Sequence, residues 1–247
     1  MVTSASSQSS RSSLCNQSVN GHAEHTDPLG SKSIPTTGGV LIIGGPDGAG
    51  KSTLAGKVIA EVLGDAPVMH IRFPRLLPRR NRDRARARRL GEGGTPDLFG
   101  PRVYPRTYPW GTSVWKSLYL FIDFLLGWRM RVAPFVRSGG WVVFERGWWD
   151  HAVDPRRYRL RSGRPFVVLG RLIPRADLIL ILEADPSTIH GRKPQLTTEE
   201  LARQMAAWHR ILPRSQRCVF LDAGLPVARL IEQVKTHVSD LIARRPE

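Results

Sequence analysis

Cysteine is nearly absent from this sequence: the 247 residues contain two, Cys15 and Cys218. The first lies in a polar N-terminal segment and the second in a predicted strand, which argues against a fold held together by disulfides. Long hydrophobic runs are also lacking. The most apolar long segment, 118–128, is too short to span a bilayer and carries Asp123, so we expect a buried helix there. No basic start followed by an apolar stretch marks a secretory signal, and we expect a cytoplasmic protein.

Acidic residues are scarce as well. The chain has 21 Asp and Glu against 37 Lys and Arg, and its formal net charge is +16. A positive field of this kind attracts nucleotides, sugar phosphates, nucleic acids and anionic membranes alike, so the charge predicts an anionic partner and does not distinguish among these classes. The length suits one α/β domain with a tail.

The tail is the stretch 1–37, which is rich in Ser, Asn, Gln and Gly and poor in apolar residues. Such a segment cannot bury enough surface to offset the entropy lost on ordering, so we predict that it is disordered. The folded domain is then expected to cover residues 38–247.

The most informative stretch is 45–52, which reads GPDGAGKS and fits the phosphate-loop pattern G-x-x-x-x-G-K-[ST]. An apolar run, 40–43, precedes it as a predicted buried strand, and 53–63 follows with helical character. Glycines let successive backbone N–H groups point at phosphate oxygens, and the helix dipole adds positive potential. In this pattern Lys51 reaches the β- and γ-phosphates and Ser52 ligates Mg²⁺. The sequence therefore predicts a site for ATP and Mg²⁺ formed by Gly45, Asp47, Gly48, Ala49, Gly50, Lys51, Ser52 and Thr53.

Four more strands are predicted downstream, at 68–73, 141–144, 177–183 and 218–221, and helical patterns separate them. Alternating strands and helices predict a parallel sheet that is covered on both faces. Ligands of such sheets bind at the carboxyl ends of the strands, where the phosphate loop and the pair Glu145–Arg146 both fall.

Two helices carry specific expectations. A long helix should begin near Thr112 or Ser113 and end near 138–140, with one buried face formed by Val114, Leu118, Phe121, Ile122, Leu125 and Leu126. A second helix should open on a capping box at Thr197 and Glu200. Its apolar stripe, which includes Trp208, is interpreted as packing.

Basic residues gather in two other places. The arginine-rich stretch 79–89 is interpreted as a solvated loop or exposed helix, and closure over a polyanionic substrate or contact with nucleic acid are the alternatives. Arg156 and Arg157, next to Tyr158, form a candidate anion site, unless Asp154 simply pairs with one of the arginines.

From about Val40 to Val238 the chain resembles the thymidylate kinase family of P-loop nucleotide kinases. The G-x-D-G-x-G-K-S-T form at 45–53 is that family's version of the loop, and Glu145–Arg146 stands where the family has Asp-Arg. Segments 176–186 and 220–223 are similar to the family's fourth-strand and last-strand motifs. The resemblance implies a three-layer α/β/α P-loop NTPase fold with a five-stranded parallel sheet. It also implies transfer of the ATP γ-phosphoryl group to a nucleoside monophosphate.

The same resemblance assigns roles to five residues. Asp47 would contact the acceptor's sugar hydroxyl, and Arg146 would hold the acceptor phosphate. Glu145 would order Mg²⁺ or its water. Arg72 follows the second strand, where the family has Arg-Glu-Pro, and Arg192 falls where the family's lid arginine stands. Arginines placed there would stabilise the charge that spreads over the γ-oxygens during transfer.

The chain departs from the family on the acceptor side. Phe124 replaces an arginine of the long helix, and 148–158 replaces the stretch that contacts the acceptor. A kinase for a sugar or sugar phosphate is therefore the alternative hypothesis, and a nucleotide-controlled nucleic-acid-binding protein is the third and least favoured. The expected partners are ATP and an anionic small-molecule acceptor, with a homodimer left open.

Overall fold

A computed structural model describes residues 38–72, 76–77, 106–212 and 217–244. The predicted tail at 1–37 and the arginine-rich stretch 79–89 lie outside these ranges. The described chain has an α/β fold with one five-stranded sheet of order β2-β3-β1-β4-β5, in which every pairing is parallel. The strands are β1 Gly39–Gly44, β2 Val68–Ile71, β3 Trp141–Glu145, β4 Leu178–Glu183 and β5 Cys218–Asp222.

Helices connect the strands. They are α1 Lys51–Lys57, α2 Trp110–Gly127, α3 Ala133–Arg137, α4 Asp150–Val153, α5 Arg164–Leu169, α6 Pro186–Arg192, α7 Thr198–Ile211 and α8 Val227–Ala243. Wider π-helical turns continue α1 at Val58–Leu63 and α2 at Trp128–Val132, and a short 3₁₀ turn covers Arg156–Tyr158. Within the described ranges, none of the helices has both the length and the hydropathy that a membrane crossing requires.

Both faces of the sheet are covered, as the alternation of strands and helices predicts. Along β1, Leu41 and Ile43 belong to one hydrophobic cluster, and Val40 and Ile42 belong to the other. All four side chains are at most 6% exposed. Burying each one stabilises the fold by roughly 1.5–3 kcal/mol. The predicted parallel sheet is confirmed, and its two covered faces are compatible with three layers.

The long helix α2 corrects two predictions. It begins at Trp110, after Pro109, and not at Thr112 or Ser113. Its buried residues are Ser113, Ser117, Leu120, Asp123, Phe124 and Gly127. Of the side chains predicted to be buried, four are among its exposed residues, namely Val114, Leu118, Ile122 and Leu126.

The physical reason is that α2 carries apolar side chains on opposite faces, so spacing alone cannot select the inner one. Small residues decide the choice because they allow close approach. A Cβ at Gly127 would lie 2.1 Å from the Cβ of Leu76. The buried carboxylate of Asp123 accepts a hydrogen bond of 2.9 Å from the backbone N–H of the same leucine.

Candidate functional site

The loop with the phosphate-binding pattern joins β1 to α1 at the carboxyl end of the sheet, and its shape requires glycine. Gly45 and Gly48 have φ values of 128° and 93°, which L side chains rarely adopt. A Cβ at Gly45 would also lie 2.5 Å from the carbonyl oxygen of Leu182. The loop therefore packs directly on the end of β4, and its conformation depends on the glycines of the pattern.

Lys51, the first residue of α1, folds back over this loop. Its Nζ donates to the carbonyl oxygens of Gly45 at 2.9 Å and Pro46 at 2.6 Å, and it lies 3.6 Å from Asp47 Oδ1. The pKa of Lys51 is lowered to about 8, chiefly by burial and also by the nearby Arg146, and Asp47 opposes the shift. The ammonium group is therefore held in a confined place at the centre of the loop.

Ser52 lies beside the end of β3. Its hydroxyl donates to Glu145 Oε2 at 2.5 Å. The other carboxylate oxygen, Glu145 Oε1, is buried. It lies 2.8 Å from His70 Nε2 and 3.6 Å from Arg72 Nε. The Arg72 side chain is 71% exposed and thus reaches this carboxylate from the surface.

Asp47 is held by two arginines, and we call Asp47, Arg146 and Arg157 the Asp47 cluster. Arg146 Nη2 donates to Asp47 Oδ1, and Arg157 Nη1 donates to Asp47 Oδ2 at 2.5 Å. Burial by itself would lower the pKa of Arg146, but Asp47 and Asp150 raise it overall. Arg146 also has a φ of 89°, a strained value for a residue with a side chain. The strained residue directly follows β3, where its side chain contacts Asp47 of the loop.

A small cavity of about 10 Å³ lies against the cluster and has room for about one water molecule. Several of the residues that line it were not among the predicted site residues. Asp150 comes from α4, and Gln204 and Trp208 come from one face of α7. Trp208 is 2% exposed, in agreement with the packing prediction, but it also faces this cavity. The signal available in the sequence was the four-residue spacing that puts Gln204 and Trp208 on the same helical face.

A second cavity, of about 360 Å³, lies on another side of the loop, next to Gly50 and Thr53. The loop after β5, at 223–226, and Val227 at the start of α8 form part of its wall. Arg192, the last residue of α6, lines this cavity and donates from Nη1 to the carbonyl oxygen of Ala223 at 2.9 Å. The structure thus places Arg192 with this cavity, whereas the lining of the small one does not include it.

Of the two arginines in the predicted anion site, one lies at the small cavity and the other does not. Arg156 is exposed, and the lining of the small cavity includes Arg157 but not Arg156. The Arg157 guanidinium pairs with Asp47, while Asp154 Oδ1 accepts a hydrogen bond from the Arg157 backbone N–H at 3.2 Å. The neighbouring His151 is 2% exposed and lies between aromatic rings, with its Nδ1 3.1 Å from the carbonyl oxygen of Trp148.

Comparison with models of protein families found no match for this chain, and comparison with curated proteins found none either.

Proposed function

We propose that this chain is an ATP- and Mg²⁺-dependent phosphotransferase of the P-loop kinase type. The main support is one contact. The hydroxyl of Ser52, in the phosphate-loop pattern, lies 2.5 Å from Glu145 at the carboxyl end of the adjacent strand. A phosphate loop needs both an Mg²⁺ ligand of its own and an acidic residue at a neighbouring strand end, and these residues supply them.

The space around the loop fits ATP. Backbone N–H groups of the loop and the Lys51 ammonium would bind the phosphates. The cavity of about 360 Å³ beside Gly50 and Thr53 would then receive the nucleoside, since this volume falls within the usual range for small-molecule sites. Arg192 lines the same cavity, so its guanidinium would lie along the nucleotide.

The residues present also fit Mg²⁺, which prefers oxygen ligands and keeps several waters. Ser52 Oγ and the carboxylate of Glu145 would hold it, directly or through water. Within the described ranges no group of three or more His, Cys, Asp and Glu side chains could hold a metal ion. Phosphate oxygens would therefore complete the coordination, as in other kinases. When bound, the ion neutralises charge on the β- and γ-oxygens.

The Asp47 cluster marks the acceptor side. Asp47 lies 3.6 Å from Lys51 Nζ, so an acceptor bound at the cluster would be next to the γ-phosphate. Arg146 would hold an anionic group of the acceptor, and Asp47 would orient one of its hydroxyl groups. Phosphoryl transfer needs mainly positioning and charge stabilisation, which these side chains offer. The resemblance to thymidylate kinases makes a nucleoside monophosphate the first acceptor to examine.

A sugar or sugar phosphate is the second candidate acceptor, and one observation favours it. Phe124, which stands where the family has an arginine that helps bind the acceptor, is 1% exposed. Its ring packs against Trp148 at 5.5 Å and Trp128 at 5.7 Å between centroids. The position has therefore become part of the hydrophobic core and has no polar group to offer an acceptor.

The test is a coupled assay of ADP release with ATP, Mg²⁺ and a panel of nucleoside monophosphates, sugars and sugar phosphates. Lys51→Ala removes the ammonium from the loop and should abolish turnover, since the lysine contacts the transferred group. Lys57→Ala is the matched control, because Lys57 lies on the same helix with its side chain 47% exposed. Equal ADP release by the wild type and Lys51→Ala with every acceptor, together with no thermal shift by ATP and Mg²⁺, would refute the proposal.

A further inference from the structure

Two residues that line the small cavity beside the Asp47 cluster carry buried donor groups without partners. The hydroxyl of Tyr158 and the indole N–H of Trp208 make no hydrogen bond, and both residues line this cavity. A buried polar group without a partner costs about 1–3 kcal/mol. Two such groups on residues of one cavity indicate that a bound water or the oxygen atoms of a ligand supply acceptors to them.

Both groups act as donors at neutral pH. Burial raises the pKa of Tyr158, and the nearby carboxylate of Asp150 raises it further, so the hydroxyl keeps its proton. The indole nitrogen can only donate. A ligand at this place therefore has to present oxygen atoms with free lone pairs.

The other polar side chains that line the cavity are three carboxylates, two arginines and one glutamine. Asp150 Oδ2 accepts a hydrogen bond of 2.8 Å from the backbone N–H of Gly147, and Asp154 also lines the cavity. A carboxylate has about four lone-pair sites, so Asp150 can accept further hydrogen bonds. Hydroxyl groups of a ligand would donate to it. Each hydroxyl group of a ligand can both donate and accept a hydrogen bond, and the cavity offers partners for both.

The aromatic rings that line the cavity are poorly placed to stack on a nucleobase. The ring of Tyr158 lies 4.2 Å from the ring of His151, which covers it. The indole of Trp208 lies so close to β1 that a Cβ at Gly44 would be 3.0 Å from its Cη2. Trp148 and Trp149 are 1% and 2% exposed in the core and are not part of the described lining.

We infer that the acceptor is a polyhydroxylated, carbohydrate-like molecule, whose oxygen atoms accept hydrogen bonds from Tyr158 and Trp208. The inference rests on the proposed function and names the acceptor class of its site. Because the cavity has room for about one water, acceptor binding must open it. Arg157 is the element to move: its side chain is 25% exposed, and its three-residue turn also carries Tyr158.

The first experiment measures binding to the full chain by calorimetry in the absence of ATP. Thymidylate is compared with 2-deoxyribose 5-phosphate, which is the same molecule without its base, and with free hexoses and hexose phosphates. We expect thymidylate and its base-free counterpart to bind within about three-fold of each other, and at least one hexose or hexose phosphate to bind more tightly than both. The hexose arms show whether the preferred acceptor carries a phosphate. Thymidylate binding more than about ten-fold tighter than 2-deoxyribose 5-phosphate would overturn the inference, as would the failure of every sugar and sugar phosphate to bind.

The second experiment tests the hydroxyl of Tyr158 with the carbohydrate that binds best. Tyr158→Phe should weaken its binding about ten-fold while leaving thermal stability unchanged or higher, because the variant removes a buried group that had no partner. Tyr119→Phe, on the exposed face of α2, is the matched control and should bind like the wild type. The indole N–H signal of Trp208, assigned by its loss in Trp208→Phe, should shift on binding. Unchanged affinity in Tyr158→Phe would count against the assignment.

The two proposals fail separately. ATP binding, measured by thermal shift with and without Mg²⁺ and with Lys51→Ala as reference, tests the phosphotransferase. Carbohydrate binding without ATP tests the acceptor class. A chain that binds ATP and prefers thymidylate keeps the proposed function and loses the acceptor assignment.

Discussion

Replacing Lys51 by methionine should stabilise the protein at neutral pH while removing the group on which the proposed transfer depends. The lysine is 7% exposed, and its pKa is lowered from 10.5 to about 8, chiefly by burial. At about 1.4 kcal/mol for each pH unit, this shift means that the fold disfavours the ammonium form by about 3 kcal/mol. Methionine has a similar length and no charge, so Lys51→Met should gain a free energy of unfolding of that order.

The stability difference between Lys51→Met and the wild type should depend on pH in a defined direction. Between about pH 8 and pH 10.5 the unfolded lysine binds more protons than the folded one, so the stability of the wild type rises with pH in this window. The methionine variant has no such rise. The advantage of Lys51→Met should therefore fall from about 3 kcal/mol at pH 7 to about 1 kcal/mol at pH 10.

Urea unfolding of both proteins at several pH values measures this difference, and in thermal scans 3 kcal/mol corresponds to roughly 6–12 °C for a chain of this size. Lys57→Met is the matched control, since its exposed ammonium should change stability by less than about 0.5 kcal/mol. If Lys51→Met is less stable than the wild type at pH 7, the hydrogen bonds to Gly45 and Pro46 outweigh the burial of the charge, and the reasoning is wrong.

Three further substitutions test the site and its surroundings. Asp47→Asn should destabilise the protein by about 3 kcal/mol in urea unfolding, because it leaves Arg146 and Arg157 close together without their shared carboxylate; a loss below about 1 kcal/mol would contradict the ion-paired cluster. Phe124→Arg should lower the free energy of unfolding by roughly 3–5 kcal/mol, since it buries a cation in the aromatic core. A well-folded variant with increased thymidylate phosphorylation would refute the interpretation that residue 124 belongs to the core and does not contact the acceptor. Ser52→Ala should weaken calorimetric ATP binding about ten-fold in the presence of Mg²⁺ but not in EDTA; equal effects in both buffers would exclude a role in holding the ion.

The strands and the loop were predictable because their signals are local. An apolar run buried on both faces, such as 40–43, can hardly be anything other than a central strand, and the glycine pattern after it specifies a turn at the strand end. Because carboxyl ends of parallel strands meet at one edge of a sheet, the sequence predicts that the phosphate loop and Glu145 lie at the same edge, but it does not predict that Ser52 contacts Glu145. The strand order was not accessible, since it depends on packing between elements far apart in the chain.

The inner face of α2 and the walls of the small cavity could not be predicted for a related reason. A hydrophobic period identifies a helix face only when the opposite face is polar, and in α2 it is not. Ser113 and Ser117 are buried because they are small, a property that a hydrophobicity pattern does not register. Trp208 was interpreted correctly as a packing residue. The sequence does not show that its indole N–H is buried without a hydrogen-bond partner, because this depends on which other residues surround it.

The outer face of α2 has a consequence for how the protein behaves in solution. Trp115 on α2 is 72% exposed, and Met130 on the π-helical turn that continues it is 67% exposed, with Tyr119, Ile122 and Leu126 between them. Electrostatic repulsion between molecules that each carry a net charge of +16 opposes association through these exposed apolar side chains. Added electrolyte shortens the range of that repulsion from about 30 Å at 0.01 M to about 3 Å at 1 M. We therefore expect the molecules to stay apart at low ionic strength and to associate through this apolar surface at high ionic strength.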